Sequence, residues 1–343
     1  MSFVEKSTTR REFVKDVAVG AAGLVVAGSL GTLTAATNET KYKQYVHKLV
    51  YKKGRGGPGS ADAVYEVTSK ELNGRNTNYS FGYYSKVGAY GNTGLVHPYD
   101  TCLAFVSLDP AKPDYLGAEI EVRLGKGFEK HVFDVPTIVC VPQNTPYGPI
   151  VARKVEKVYA HYAIGLAGEY KATKVPVPSK AAETNQYGNL VKKLSAFAMG
   201  DVTKMTGPGN AFWIAWPRSK ALEGFMVNFC WGFYNGIGNW HREGFDPHVH
   251  VGDEFLNFVG LDPKKPNYLG ATLDMHMGED ARTGKKQEVY PFDTPTVIVC
   301  PAGFKHAPII TTKVDKTFSF FLIRTDTGVP PTPNKTPDGY PIQ

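Results

Sequence analysis

From about residue 42 onward the chain is built of short runs rich in Val, Ile, Tyr and Phe, divided by Gly, Pro, Asn and Asp. Some runs alternate apolar and polar residues; others, such as those around Cys140 and Cys300, are continuously apolar. A period of two, or a short unbroken apolar run bounded by turn residues, is the mark of a β-strand buried on one or both faces. No 3.6-residue period is sustained, so long helical bundles are excluded. The 36 Gly and 24 Pro residues supply the many turns such a chain needs. The pattern predicts an all-β fold of short strands.

The pattern is written twice. Phe105-Val-Ser-Leu-Asp-Pro-Ala-Lys-Pro-Asp-Tyr-Leu-Gly-Ala118 returns as Phe258-Val-Gly-Leu-Asp-Pro-Lys-Lys-Pro-Asn-Tyr-Leu-Gly-Ala271, identical at eleven of fourteen positions. Phe133-Asp134-Val135-Pro136-Thr137 is answered by Phe292-Asp293-Thr294-Pro295-Thr296, so the offset grows from 153 to 159 through an insertion near Glu279 to Tyr290. Upstream, Tyr42, Val46 and Gly57-Pro58-Gly59 pair with Tyr187, Val191 and Gly207-Pro208-Gly209. A repeat longer than 100 residues exceeds any solenoid unit and is a duplicated domain, most simply two tandem jelly-roll barrels. The expected organisation is a leader over 1–36, a first barrel over 37–173, a linker over 174–186, a second barrel over 187–327 and a Pro-rich tail over 328–343.

The leader has its own character. Thr9-Arg10-Arg11-Glu12-Phe13-Val14-Lys15 precedes an uncharged stretch rich in Ala, Gly and Val that ends at Thr34-Ala35-Ala36. It resembles a twin-arginine export signal, which implies passage through the twin-arginine machinery in a folded state and a periplasmic or extracellular destination. An uncleaved membrane anchor is the alternative. The four cysteines, Cys102, Cys140, Cys230 and Cys300, show no C-x-x-C spacing and read as buried thiols, with pairing left open.

Candidate chemistry is confined to the second copy. In Asp246-Pro247-His248-Val249-His250-Val251-Gly252-Asp253-Glu254, positions 248, 250 and 254 share parity, so one extended strand would turn two imidazoles and a carboxylate to the same face. Downstream, Pro301-Ala302-Gly303-Phe304-Lys305-His306 is a turn that delivers a third imidazole from a neighbouring strand. These two stretches resemble the cupin superfamily motifs H-x-H-x3-E and P-x-G-x-x-H, and the resemblance extends over both copies. Gly244 lies nearer His248 than is usual in that family, and Ile310 stands where an Asn is common. The resemblance implies that His248, His250, Glu254 and His306 hold one divalent metal ion, Mn or Fe by preference, with Ni, Cu or Zn also compatible with this donor set. In the first copy the matching residues are Leu95, His97, Thr101 and Tyr147, so that barrel is expected to hold no metal and to serve packing or an interface.

Family members include decarboxylases, oxidases and dioxygenases. The implied activity is therefore a metal-dependent reaction of dioxygenase or decarboxylase type on a small organic acid or aromatic compound. The other class in view is a non-catalytic, metal-stabilised bicupin that binds a ligand or an envelope partner. His276 is a candidate acid/base group, its facing undetermined from sequence, and Tyr234, Trp240 and His241 are candidates for the barrel mouth. A net charge of +7 is spread along the chain with no basic block interleaved with aromatics, which argues against nucleic acid. A small-molecule substrate is expected, and a homo-oligomer is compatible with the composition.

Overall fold

The structure, a computed structural model, describes residues 41–196, 206–279 and 287–326, together with the backbone of 332–333. The chain divides into two compact units, Met1–Glu39 and Thr40–Gln343, and everything described lies in the second. The expected export signal, and the tail apart from 332–333, lie outside the described residues. Among the described residues helix is limited to 3-10 turns such as Lys43–Tyr45 and Ser219–Leu222, and no helix is long and apolar enough to cross a membrane.

Four antiparallel sheets form two jelly-roll barrels. In the first barrel one sheet runs, in spatial order, Val191–Lys193, Thr137–Val141, Thr101–Ser107, Tyr159–Gly165, Asn78–Tyr84, Ala63–Val67 and Lys52–Lys53. Its partner runs Thr173–Val175, Gly94–Val96, Tyr147–Val155, Ala118–Leu124 and Glu129–Phe133. The second barrel repeats this with Val46–Lys48, Thr296–Cys300, Glu254–Val259, Phe318–Arg324, Asn228–Tyr234 and Trp213–Ala215 in one sheet. Its other sheet holds Glu288–Phe292, Ala271–Met277, His306–Val314, His248–Val249 and Thr332–Pro333.

The first strand of each sequence copy belongs to the other copy's barrel. Val46, His47 and Lys48 pair with Ile298, Val297 and Thr296, and Val191, Lys192 and Lys193 pair with Val139, Ile138 and Thr137. The repeat is a unit of sequence, while the packed units interleave.

The continuously apolar strands are explained by a third core between the barrels. Along Thr101–Ser107, Leu103 and Phe105 enter the first barrel, whereas Cys102, Ala104 and Val106 face the second. Along Glu254–Val259, Leu256 and Phe258 enter the second barrel and Phe255 and Val259 face the first. Strands covered on both faces have no polar side to show. This interface is aromatic, with Phe81, Tyr162, Trp231 and Phe321 in mutual contact; Tyr162 and Phe321 have ring centroids 4.3 Å apart. Two of its polar groups reach equivalent carbonyls across the interface from different strand positions. Tyr83 donates to the carbonyl of Gly260 at 2.8 Å, and Trp231 donates to the carbonyl of Ser107, the corresponding residue, at 3.2 Å. Tyr79 donates to Asn257 Oδ1 at 2.6 Å. All four cysteines are free and buried, with Cys102 and Cys140 opposite one another in the first barrel's sheet.

A segment covering 37–173 alone would lack the strand Val191–Lys193 and would expose the aromatic interface. Its expected state is aggregated, or expanded with strong binding of a hydrophobic dye, beside a cooperatively unfolding full chain; a stable monomer of that segment would contradict the account.

The first barrel's interior combines aliphatic side chains with the rings of Tyr84, Phe105, Tyr147 and Tyr159. His161 lies there at 5% exposure, stacked on Phe105 at 4.3 Å, and its Nδ1–H donates to the carbonyl of Ala104 at 3.1 Å. Burial pulls its pKa down to about 4. An unfolded imidazole titrates near 6.5, so below that pH the unfolded chain takes up a proton that the folded chain refuses. Stability present at neutral pH is then lost progressively down to about pH 4, by up to about 3 kcal/mol. A His161→Phe variant should show a correspondingly shallower fall in chemical-denaturation stability between pH 6.5 and 4, and an unchanged slope would contradict this.

Candidate metal centre

His248, His250, Glu254 and His306 converge, their ligand atoms lying within 4.8 Å of one another, and all four are buried. His248, His250 and Glu254 do not sit on one strand as the parity argument expects. The strand carrying His248 spans only His248–Val249; the chain then turns through Val251 and Gly252, and Glu254 opens a strand of the other sheet. The motif is a corner between two sheets, and the side chains meet because the backbone folds over. Gly252 permits the fold: a Cβ there would lie 2.6 Å from the carbonyl oxygen of Thr325.

Asp253 fastens the corner. Its Oδ1 accepts from the amide of Ala302 at 3.0 Å, and its carbonyl accepts from the amide of Thr325 at 2.9 Å. The carbonyl of His250 accepts from Gly303, which has φ +73°, at 2.8 Å. These bonds tie the H-x-H turn to the Pro301–Gly303 turn and so bring His306 directly opposite His248 in the sheet. The first barrel keeps the same scaffold. Asp100 accepts from Gln143 and Leu166, and the carbonyl of His97 accepts from Asn144, which stands at φ +59° in Gly303's place. Only the chemistry is missing there. His97 Nδ1–H donates to the carbonyl of Lys171 at 2.6 Å, and its Nε2 accepts from the hydroxyl of Tyr147 at 2.9 Å, leaving the ring fully engaged.

Within the second barrel, Glu254 Oε2 is 2.9 Å from His306 Nε2, and Oε1 is 3.3 Å from His250 Nε2. His306 is 2.9 Å from the carbonyl of Phe304 through Nδ1, and His248 is 2.8 Å from Asp246 Oδ1 through Nδ1. A carbonyl or carboxylate accepts, so both rings carry their proton on Nδ1, and the Nε2 of His248 has its lone pair available. Burial lowers the His248 pKa to about 4 and that of His250 to about 2. Burial also works against charge on His306, but Cys300 and Glu254 outweigh it and hold that ring well above the ordinary imidazole range. The cluster thus concentrates a carboxylate, neutral imidazoles and one retained proton among buried side chains. Glu254 lies well below its ordinary range despite burial, because His250, His306 and His248 surround it. A buried set of three imidazoles and one carboxylate fits a borderline divalent cation, which would replace the proton.

Sequence reasoning missed two residues here. Asp246 orients His248 and also lies 3.0 Å from His241 Nδ1, forming a second group of possible donors, His241, Asp246 and His248. Arg324 lies directly opposite Glu254 in the sheet, 2% exposed, with Nε 2.7 Å from Asp326 Oδ2 and Nη1 2.9 Å from His250 Nδ1. The signal for Arg324 was its replacement by Gly165 in the first copy, at the strand position facing Thr101. His276 does not join the cluster. Leu273, Met275 and Met277 enter the core, and His276 alternates to the half-buried opposite face beside Thr272 and Asp274. Tyr234 and Trp240 are core residues stacked at 4.1 Å rather than rim residues. Within the insertion, Glu279 pairs with Lys305 at 2.7 Å, and Asp280 and Arg282 lie outside the described residues.

No protein-family model matches the chain, and no curated protein matches it. Solved structures do. A glutamate-to-alanine variant of oxalate decarboxylase from Bacillus subtilis aligns at 10% identity and TM-score 0.57. An arginine-to-alanine variant aligns at 11% and 0.55, and a tryptophan-to-phenylalanine variant at 10% and 0.57. In each case 84% of this chain and 79% of the other are covered. At this identity the likeness shows the fold alone, two jelly-roll barrels in tandem as in those structures.

Asp246→Asn should weaken divalent-metal binding about 10- to 100-fold, the range for removing a carboxylate behind a ligating imidazole. His276→Ala should leave it unchanged. Chelator competition measures both, and equal losses in the two variants would contradict the assigned geometry.

Proposed function

We propose that this protein is a metal-dependent bicupin enzyme that binds one divalent cation, Mn or Fe by preference, through His248, His250, Glu254 and His306. Its reaction is of decarboxylase or dioxygenase type on a small organic acid or aromatic compound. The observation that carries the reading is the convergence of these four buried donors in one barrel, while the other barrel keeps the same corner with Leu95, His97, Thr101 and Tyr147 in their places. The likeness to oxalate decarboxylase supports a carboxylate substrate as the first to try. A bound cation supplies Lewis acidity toward an anionic oxygen. This chain's own contribution is to hold the ligand tautomers of His248 and His306 through Asp246 and Phe304. The paired arginines Arg10-Arg11 and the apolar stretch after them support export in a folded, metal-loaded form, and a periplasmic or extracellular site of action.

Purified full chain should contain one Mn or Fe per molecule, and a His248→Ala/His306→Ala double variant should contain none. Turnover of oxalate or another small carboxylate should vanish on chelation and return with the metal. Well-folded wild-type protein that takes up no divalent metal would overturn the reading.

A further inference from the structure

The three imidazoles of the cluster are not prepared alike. For His248 and His306 the partner of Nδ1 is an oxygen that only accepts, so the ring proton sits on Nδ1. For His250 the partner is the guanidinium of Arg324, with Nη1 2.9 Å from Nδ1. A guanidinium has donors and no acceptor, so the lone pair of His250 must be on Nδ1 and its proton on Nε2, the atom that faces Glu254 Oε1 at 3.3 Å. That is the opposite of the tautomer needed to ligate a cation through Nε2.

We infer that Arg324 is a positioning residue that opposes metal loading, by holding His250 in the tautomer that cannot ligate through Nε2. The inference rests on the metal-site reading proposed above. When His250 is recruited, the proton leaves Nε2 and one is taken up at Nδ1, so the ring remains neutral. The new Nδ1–H then points at a guanidinium N–H, and the Arg324–His250 bond is broken. Arg324 is not easily withdrawn. Its Nε lies 2.7 Å from Asp326 Oδ2, and Asn228 Nδ2 donates to the carbonyl of Asp326 at 3.0 Å and to its carboxylate. Its fixed positive charge, buried beside the cluster, acts against an incoming cation in the same direction. The first barrel has Gly165 at this strand position and Thr101 opposite, so the guanidinium occurs only where the four donors do.

The test uses the full chain with 15N-labelled histidine and two-bond proton–nitrogen correlation NMR, with His250 assigned by its loss in His250→Gln. In metal-free protein His250 should be protonated on Nε2 and His248 on Nδ1. Addition of Zn2+, a diamagnetic probe, should move the His250 proton to Nδ1. In Arg324→Gln the amide can turn its carbonyl toward Nδ1–H, and Zn2+ affinity by chelator competition should rise at least about tenfold. Arg324→Gln/Asp326→Asn guards against an effect of leaving Asp326 unpaired and should show the same rise, whereas Arg324→Lys, which keeps charge and donor, should stay near wild type. His250 protonated on Nδ1 in the metal-free wild type, or unchanged affinity in both Gln variants, would overturn the inference alone. Failure of wild type and every variant to take up Zn2+ would overturn it together with the metal-site reading.

Discussion

The corner at Asp253 is the constraint on which the site depends. A carboxylate and a carbonyl from one residue bind two different loops, and the neighbouring carbonyl of His250 binds the glycine of the Pro301–Gly303 turn. Three chain segments that are distant in sequence are thereby locked at the end of one barrel. The donors His248 and His306 come from one sheet and Glu254 from the other, and none would meet the others without this junction. Arg75, from the first sequence copy, lies 3.6 Å from Asp253 Oδ1, so the corner is braced from the neighbouring barrel as well.

Around the corner, burial and charge have to be balanced together. A carboxylate and a guanidinium at 2–3% exposure cost several kcal/mol each unless paired. Glu254 is surrounded by imidazoles, and Arg324 lies between His250 and Asp326. The polar chain therefore continues from Asp326 through Arg324, His250 and Glu254 to His306. The first barrel shows the other solution to the same scaffold. With Thr101 and Gly165 in place of Glu254 and Arg324, the charges are gone, and one tyrosine–histidine pair closes the gap. Both barrels contribute to the aromatic core they share.

Much of this could be read from the sequence, for identifiable reasons. The duplication is visible because the turn Leu-Asp-Pro-x-Lys-Pro and the strands beside it keep their residues in both copies. The four donors are visible because their spacing is short and their residue types are rare. What could not be read depends on contacts that parity and spacing do not encode. The exchange of Val46–Lys48 and Val191–Lys193 between barrels is set by where the chain crosses after the repeat boundary. The facing of His276 follows from which side of the strand Ala271–Met277 meets the core. Arg324 lies 70 residues from Glu254 in sequence and becomes its neighbour only through sheet pairing. Even the correct grouping of His248, His250 and Glu254 followed from an incorrect picture of one straight strand, because a corner preserves the convergence that parity suggested.

The most direct test of the account is anomalous scattering from a crystal of the full chain grown with Mn2+, recorded at the manganese edge. The account predicts a single peak per chain, enclosed by His248, His250, Glu254 and His306 in the second barrel, and none beside His97 and Tyr147. A peak in the first barrel, or one held by His241 and Asp246 without Glu254, would contradict it.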